Sequence, residues 1–242
     1  MEGPSLVILK EEIQQFKGKK IFKADGYAKI NLDEIQNKIV RDIKTWGKYL
    51  FICLPQFTIR IHFGLFGNYR INDYKKGRNA SLGLYFSNGV FNCYIASVKI
   101  IKEPLEELYD WRLDSLSTKW SMRTIKKLVL EEDGKQQIGD VLLKPSLFPS
   151  VGNIIRNEVL YRIKVHPESL LQALPAIVLT KIVKETKQYS KDFLRWKKKE
   201  ELSAHWEIYT QKKCPKDHTV KKKYTGKTKR RSFICPCLEK YK

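Results

Sequence analysis

Nowhere in its 242 residues does the chain carry the ~18 consecutive apolar residues that a membrane-spanning helix needs. The first twenty residues include Glu2, Lys10, Glu11, Glu12, Lys17, Lys19 and Lys20, leaving no apolar core for a secretory signal. A cytoplasmic protein with no membrane partner is the expectation, associated with the nucleoid if the source is a bacterium. Cysteines are few, five in all, and in that compartment they are expected as free thiols or metal ligands, not as disulfides. Acidic residues are scarce, 26 Asp and Glu against 47 Lys and Arg, giving a formal charge of +21. With 42% apolar residues the excess of cations does not reflect disorder. A folded, strongly basic chain expects a polyanion, nucleic acid first, because neutralising phosphates releases condensed counterions. A ribosomal-type basic protein would carry the same charge.

Residues 5–17 place Leu6, Val7, Leu9, Ile13 and Phe16 at helix-compatible spacing behind Gly3-Pro4, with Gly18 as the stop. From Lys20 to about Ile101 the texture is strand-like: KKIFKADGYAKI, KYLFICL, FTIRIHF, GNYRI, SLGLYF, VFNCYI and VKII, broken at Pro55-Gln56, Asn72-Asp73, Gly77-Arg78-Asn79 and Ser87-Asn88-Gly89. Short strands at that spacing suggest a sandwich or barrel. Cys53 and Cys93 fall inside these runs and read as small buried hydrophobes. After Pro104 the period turns helical, with an interruption at Pro175. The simplest partition is a β domain over 1–110, a helical domain over 111–208 and a third unit over 209–242.

That third unit, from Lys212 on, holds twelve Lys or Arg against Asp217 and Glu239. It also holds Cys214, His218, Cys235 and Cys237, three thiols and an imidazole that would satisfy tetrahedral zinc. A module this short needs such a staple to fold. The Cys-x-Cys spacing is tighter than the usual Cys-x2-Cys, and a basic tail with idle cysteines is the competing reading.

Between Pro149 and Pro167 lies PSVGNIIRNEVLYRIKVHP. Pro149, Ser150 and Gly152 break regular structure, a helix is expected to begin near Asn153, and Val165-His166-Pro167 ends it. Amides at such a start, beside a glycine, suit a phosphate. The string Gly152-Asn153-Ile154-Ile155-Arg156-Asn157-Glu158 resembles the helix-two-turns-helix element of the formamidopyrimidine-DNA glycosylase and endonuclease VIII (Fpg/Nei) family, and its Nei-like branch especially. Gly47-Lys48-Tyr49-Leu50 is similar to the segment with that family's β-domain lysine. His62-Phe63-Gly64-Leu65-Phe66-Gly67 resembles its lesion-void loop, and Arg230, five before Cys235, stands where its zinc hairpin carries a phosphate-binding arginine.

The resemblance implies an α+β fold: an N-terminal helix plus antiparallel β-sandwich domain, then a helix-two-turns-helix domain with a zinc-finger hairpin. It implies a monomeric DNA-repair glycosylase that flips and excises oxidised bases from damaged double- or single-stranded DNA, with AP lyase strand cleavage in prospect and structural Zn2+ on Cys214, His218, Cys235 and Cys237. Met1 would be the nucleophile, Glu2 the proton shuttle and Lys48 a phosphate grip. Asn153, Gly152, Arg156, Glu158 and Arg230 would serve DNA binding, and Leu65 and Phe66 would fill the place of the flipped base. Glu158 corresponds to the family's buried glutamate.

Plainer readings stand beside each role: Lys48 as a solvated lysine, Arg230 as one more charge in a basic run, Asn153 as an N-cap, Leu65 and Phe66 as core residues at a turn. The family begins with a processed proline, whereas Met1 is a primary amine here. The imine it forms must be protonated before it withdraws electrons, so weaker strand cleavage is expected. A catalytically silent damage- or abasic-site-binding protein of the same fold is the alternative. Ser5 replaces a second acidic residue of many relatives, Tyr94–Lys99 lacks the Arg-x-Phe of the formamidopyrimidine branch, and 192–206 leaves little room for its capping loop. These departures favour oxidised pyrimidines or hydantoins.

Overall fold

The strand-rich texture up to Ile101 folds into eight antiparallel strands, in a computed structural model that describes residues 1–242. They are β1 (Ile21–Asp25), β2 (Asp42–Trp46), β3 (Tyr49–Cys53), β4 (Thr58–His62), β5 (Asn68–Ile71), β6 (Leu82–Phe86), β7 (Gly89–Tyr94) and β8 (Ser97–Ile101). One four-stranded sheet has the order β1-β6-β7-β5 and the other β2-β3-β4-β8. Ile21, Leu84 and Phe91 from the first sheet and Leu50, Ile59 and Ile61 from the second share one core, because each sheet has an apolar face to hide. Helix α1 (Gly3–Glu12) and a 3-10 turn over Ile13–Phe16 add Leu6, Leu9, Ile13 and Phe16 to it. Gly18 follows with φ +77°, a conformation only glycine adopts readily.

Strand β2 has no counterpart among the runs expected from sequence. Lys44 and Thr45 dilute its apolar alternation, and its place comes from pairing along its length with β3, Asp42 opposite Cys53 through Trp46 opposite Tyr49. Gly47, φ +56°, opens the two-residue loop that joins them, as a tight hairpin with glycine first requires. Cys93 is buried as expected, whereas Cys53, at the end of β3, is only half-buried.

The chain divides into two units, Met1 with Ser5–Asp110 and Glu2–Pro4 with Trp111–Lys242. Within the first, α2 (Leu105–Leu108) follows β8. The second contains α3 (Met122–Leu130), α4 (Ile138–Val141), α5 (Asn153–Arg162) and α6 (Ala176–Lys198), then the hairpin of β9 (Lys221–Thr225) and β10 (Arg230–Ile234). Ser121 caps α3 by accepting from the Thr124 amide, and Pro175 sits at the N-cap of α6, where its missing N–H costs nothing. Ile155, Val159, Ile182, Val183 and Phe193 anchor the helical core. Tyr161 of α5 joins Ile208, Cys214, Phe233 and Cys235 in a smaller cluster under the hairpin. No helix is long and apolar enough to cross a membrane.

Candidate active site and metal cluster

In the second unit, the start of α5 is covered by the chain's own beginning. The Glu2 carboxylate accepts from the amides of Ile154 at 2.7 Å and of Gly152 and Ile155 at 3.2 Å each. These are amides a helix start leaves without intrahelical partners, and the helix dipole favours an anion there. Gly152 has extended backbone that any residue adopts, so its need for glycine is spatial: a methyl there would lie 2.4 Å from Glu2 Cγ. Gly3 is in the same position, with a methyl 2.6 Å from Ser150 Cβ, while its amide donates to the Ser150 carbonyl at 2.9 Å. Ser150 in turn donates to Asp114 at 2.7 Å.

One turn further, α5 is bolted to β10. The carbonyl of Arg231 receives Asn153 Nδ2 at 2.9 Å, an Arg156 guanidinium N–H at 2.9 Å and Asn157 Nδ2 at 3.2 Å. Arg156 also donates to Ser232 Oγ, and Asn157 Oδ1 accepts from the Phe233 amide at 2.9 Å. The hairpin tip is held separately, by Asp140 accepting from the Lys227 amide and the Thr228 hydroxyl, each at 2.7 Å. Arg230 is left exposed at the head of β10, beside the pinned carbonyl.

Two of the expected DNA contacts are corrected by this arrangement. Arg156 is 1% exposed and Glu158 0%, so neither side chain can reach a phosphate. Burial lowers Arg156 to about 10, where it remains a cation, and its charge serves the β10 carbonyl and Ser232. Burial pushes Glu158 up, against the amides of Glu207, Ile208 and Tyr209, which it accepts at 2.7–3.0 Å. Both brace the frame that carries Arg230. Gly152 takes the N-cap position of α5, and Asn153, the first helical residue, turns its side chain to the hairpin. Asn157, unmarked in the sequence reading, proves as central as Asn153, and its place four residues on was the available signal.

Cys214 Sγ, His218 Nδ1 and Cys237 Sγ lie 3.0–3.8 Å from one another. Sulfurs bound at ~2.3 Å to a tetrahedral zinc stand roughly 3.8 Å apart, so the donor set and its spacing suit that ion. Burial pushes Cys214 up, but amides of Lys216 and His218 and the Tyr161 hydroxyl outweigh it and hold the thiol at about 6. Cys235, expected as the fourth ligand, is buried alongside but is not one of the three mutually close donors.

In the first unit, the amine of Met1 donates to the Gly64 carbonyl at 3.0 Å. Lys48 sits half-buried in the loop after Gly47. His62 ends β4, half-buried against Tyr49, and its pKa is lowered by burial first and then by Lys48, the N-terminal amine and Arg60. Four nitrogen groups thus share one neighbourhood, and His62 was not singled out by sequence. Leu65 and Phe66, 70% and 74% exposed, are loop-tip residues, which excludes their reading as core.

No family model matches the chain. Solved structures match it over 99% of its length and 100% of theirs: a viral DNA glycosylase with TM-score 0.86 at 21% identity, and Lactococcus lactis formamidopyrimidine DNA glycosylase, non-covalently bound to DNA with an AP site, with TM-score 0.87 at 18% identity. The fold is therefore that of the Fpg-type glycosylases. By sequence the chain is 28% identical to human endonuclease 8-like 3, over 88% of this chain and 38% of that protein, and 30% identical to mouse endonuclease 8-like 2, over 75% and 57%. It belongs to the Fpg/Nei family, on the Nei-like branch. It spans between about a third and just over half the length of these curated relatives.

Proposed function

We propose that the chain is a DNA glycosylase that removes oxidised bases, pyrimidines or hydantoins, from damaged DNA through its N-terminal amine. The observation that carries this reading is Glu2, the residue following that amine, seated on the three amides that open α5. An α-amine has an ordinary pKa of about 7.7–8.0, so a useful fraction is unprotonated at neutral pH, unlike a lysine near 10.4. In the proposed reaction the Met1 nitrogen forms a bond to C1′ of an extruded nucleotide as the C1′–base bond breaks. Glu2 relays the proton that the departing base and the amine exchange. Opening of the sugar gives an imine, and its protonation allows loss of the 3′ phosphate by elimination, a lyase step weaker than with a secondary amine.

Lys48 and Arg230 grip backbone phosphates, the Asn153 amide at the α5 start offers a further anion contact beside Gly152, and Leu65 and Phe66 enter the space the base leaves. Zinc held by Cys214, His218 and Cys237, with Cys235 recruited as fourth ligand, stabilises the hairpin on which Arg230 stands. We assign a catalytic β module to 1–110, a helical module to 111–208 and a hairpin module to 209–242, the last two joined by the hydrogen bonds between α5 and β10. The donor of the nucleophile and the DNA contacts all lie in one chain, so a monomer suffices.

Incubation with single- and double-stranded oligonucleotides bearing oxidised pyrimidines, hydantoins or 8-oxoguanine tests this. Base release from the first two, lost in Glu2→Gln with abasic-DNA binding retained, is the expected result. Tight damage-specific binding without release by the parent chain would point instead to a silent binder.

A further inference from the structure

A second recess lies in the first unit, on the outer face of the β1-β6-β7-β5 sheet, and shares no residue with Met1, Lys48, His62 or the 64–67 loop. Its volume is about 410 Å³, within the range of small-molecule sites. Register builds its floor: Asp25 of β1 pairs with Gly83 of β6, which pairs with Asn92 of β7, so the three stand in one row. Gly83 leaves a gap at the centre. A methyl there would lie 2.5 Å from Asp25 Oδ1 and 2.8 Å from Asn92 Oδ1, so two acceptor oxygens converge over the bare glycine. Asn92 is 5% exposed, and its Nδ2 donates to the Asp73 carbonyl at 2.9 Å, which fixes the amide with Oδ1 toward the gap.

The rim has a different chemistry. Tyr27 and Tyr74 line the mouth and stand 58% and 67% exposed. Lys75 lies 5.7 Å from the centre of the Tyr94 ring and Arg78 is exposed, while Asp25 pairs with Lys23 at 3.1 Å instead of either cation. The recess thus offers paired acceptors at its base, aromatic faces at its mouth and two cations beside them.

We infer that this recess binds one unpaired nucleotide, its base stacked on Tyr27 or Tyr74, its donor edge turned to Asp25 and Asn92, and its phosphate held by Lys75 and Arg78. Each component answers one feature: aromatic rings stack on bases whatever their sequence, carboxylates and amide oxygens accept from exocyclic amines and ring N–H groups, and Arg grips phosphate. A bare anion would be repelled by the Asp25 carboxylate, and an apolar ligand would bring no donor to Asp25 Oδ1 or Asn92 Oδ1. Guanine and cytosine, which present amine or N–H donors on the reading edge, fit the floor better than thymine. The nucleotide can come from a free nucleoside monophosphate or from an unpaired position in a single strand.

Amide chemical shifts of the full-length protein, followed during titration with GMP, TMP, inorganic phosphate and a short single-stranded oligonucleotide containing dG, test the inference. Saturable shifts at Gly83, Asn92 and Lys75 with GMP, and weaker ones with TMP, are expected. The paired substitution Lys75→Ala with Arg78→Ala, both on an exposed loop, is expected to weaken GMP about tenfold or more, while Asp25→Asn erases the preference over TMP. Shifts with the oligonucleotide as well assign the site to an unpaired strand, and shifts with GMP alone assign it to a free nucleotide; either supports it. No saturable shift at these amides, equal shifts with phosphate alone, or GMP affinity unchanged by the paired substitution would overturn it.

Discussion

Around Arg231 one backbone carbonyl collects three side-chain donors, while around His62 the N-terminal amine, Lys48 and Arg60 bring like charge toward a half-buried imidazole. The first region is held by several converging hydrogen bonds, with Asn157 bonding to both Arg231 and Phe233. The second is built on loops, where the amine donates to the Gly64 carbonyl at 3.0 Å. Under the proposed function the two regions divide the labour: the α5–hairpin frame places side chains, and the loop cluster supplies the nitrogen groups for chemistry. Substitutions in the frame are therefore expected to change stability and DNA affinity together, and substitutions in the loop cluster to change chemistry with the fold intact.

The largest effect is expected from removing the proposed zinc. Structural zinc contributes on the order of 10 kcal/mol in zinc-finger peptides, so chelation or Cys214→Ser should unfold the hairpin, seen as loss of the Phe233 and Ile234 amide resonances and of DNA binding by anisotropy. Glu2→Gln comes next, with base excision reduced by about a hundredfold or more in single-turnover kinetics, since proton relay is worth roughly 10²–10⁴. Asn157→Ala should cost about 1–3 kcal/mol in urea unfolding, because Phe233 N–H is left buried without its acceptor.

The pH dependence sharpens the other side of the comparison. His62 titrates below its ordinary 6.5 in the folded protein, so the unfolded chain takes up a proton first as pH falls. Stability is then full above about pH 6.5 and declines as pH drops toward the lowered folded value. His62→Gln should remove part of that decline in urea melts between pH 7 and 5; His166, which burial lowers too, and Cys214, held at about 6, contribute to the remainder. Phe66→Ala is the smallest in stability, within about 0.5 kcal/mol for so exposed a side chain, yet it should slow base excision about tenfold.

Much of the frame was legible in the sequence because it rests on local signals. The Gly152-Asn153 helix start, the Gly18 stop and most of the strands follow from spacing and turn residues. What stayed hidden depends on pairing across long stretches of chain. Strand β2 exists through β3, Arg156 and Glu158 are bonded by segments 75 and 49 residues away, and the gap at Gly83 is visible only once Asp25 and Asn92 flank it. A sequence shows that an arginine or glutamate is present; it does not show that a remote carbonyl or three remote amides have claimed it. His62 was masked in the same way, since its meaning lies in the cations around it.

The most direct test of the amine's role is borohydride trapping on abasic DNA followed by peptide mass mapping of the cross-link. The account predicts one adduct, on the α-nitrogen of Met1, lost when an extra residue precedes it. An adduct on Lys48, or none from protein that still binds the DNA, would contradict it.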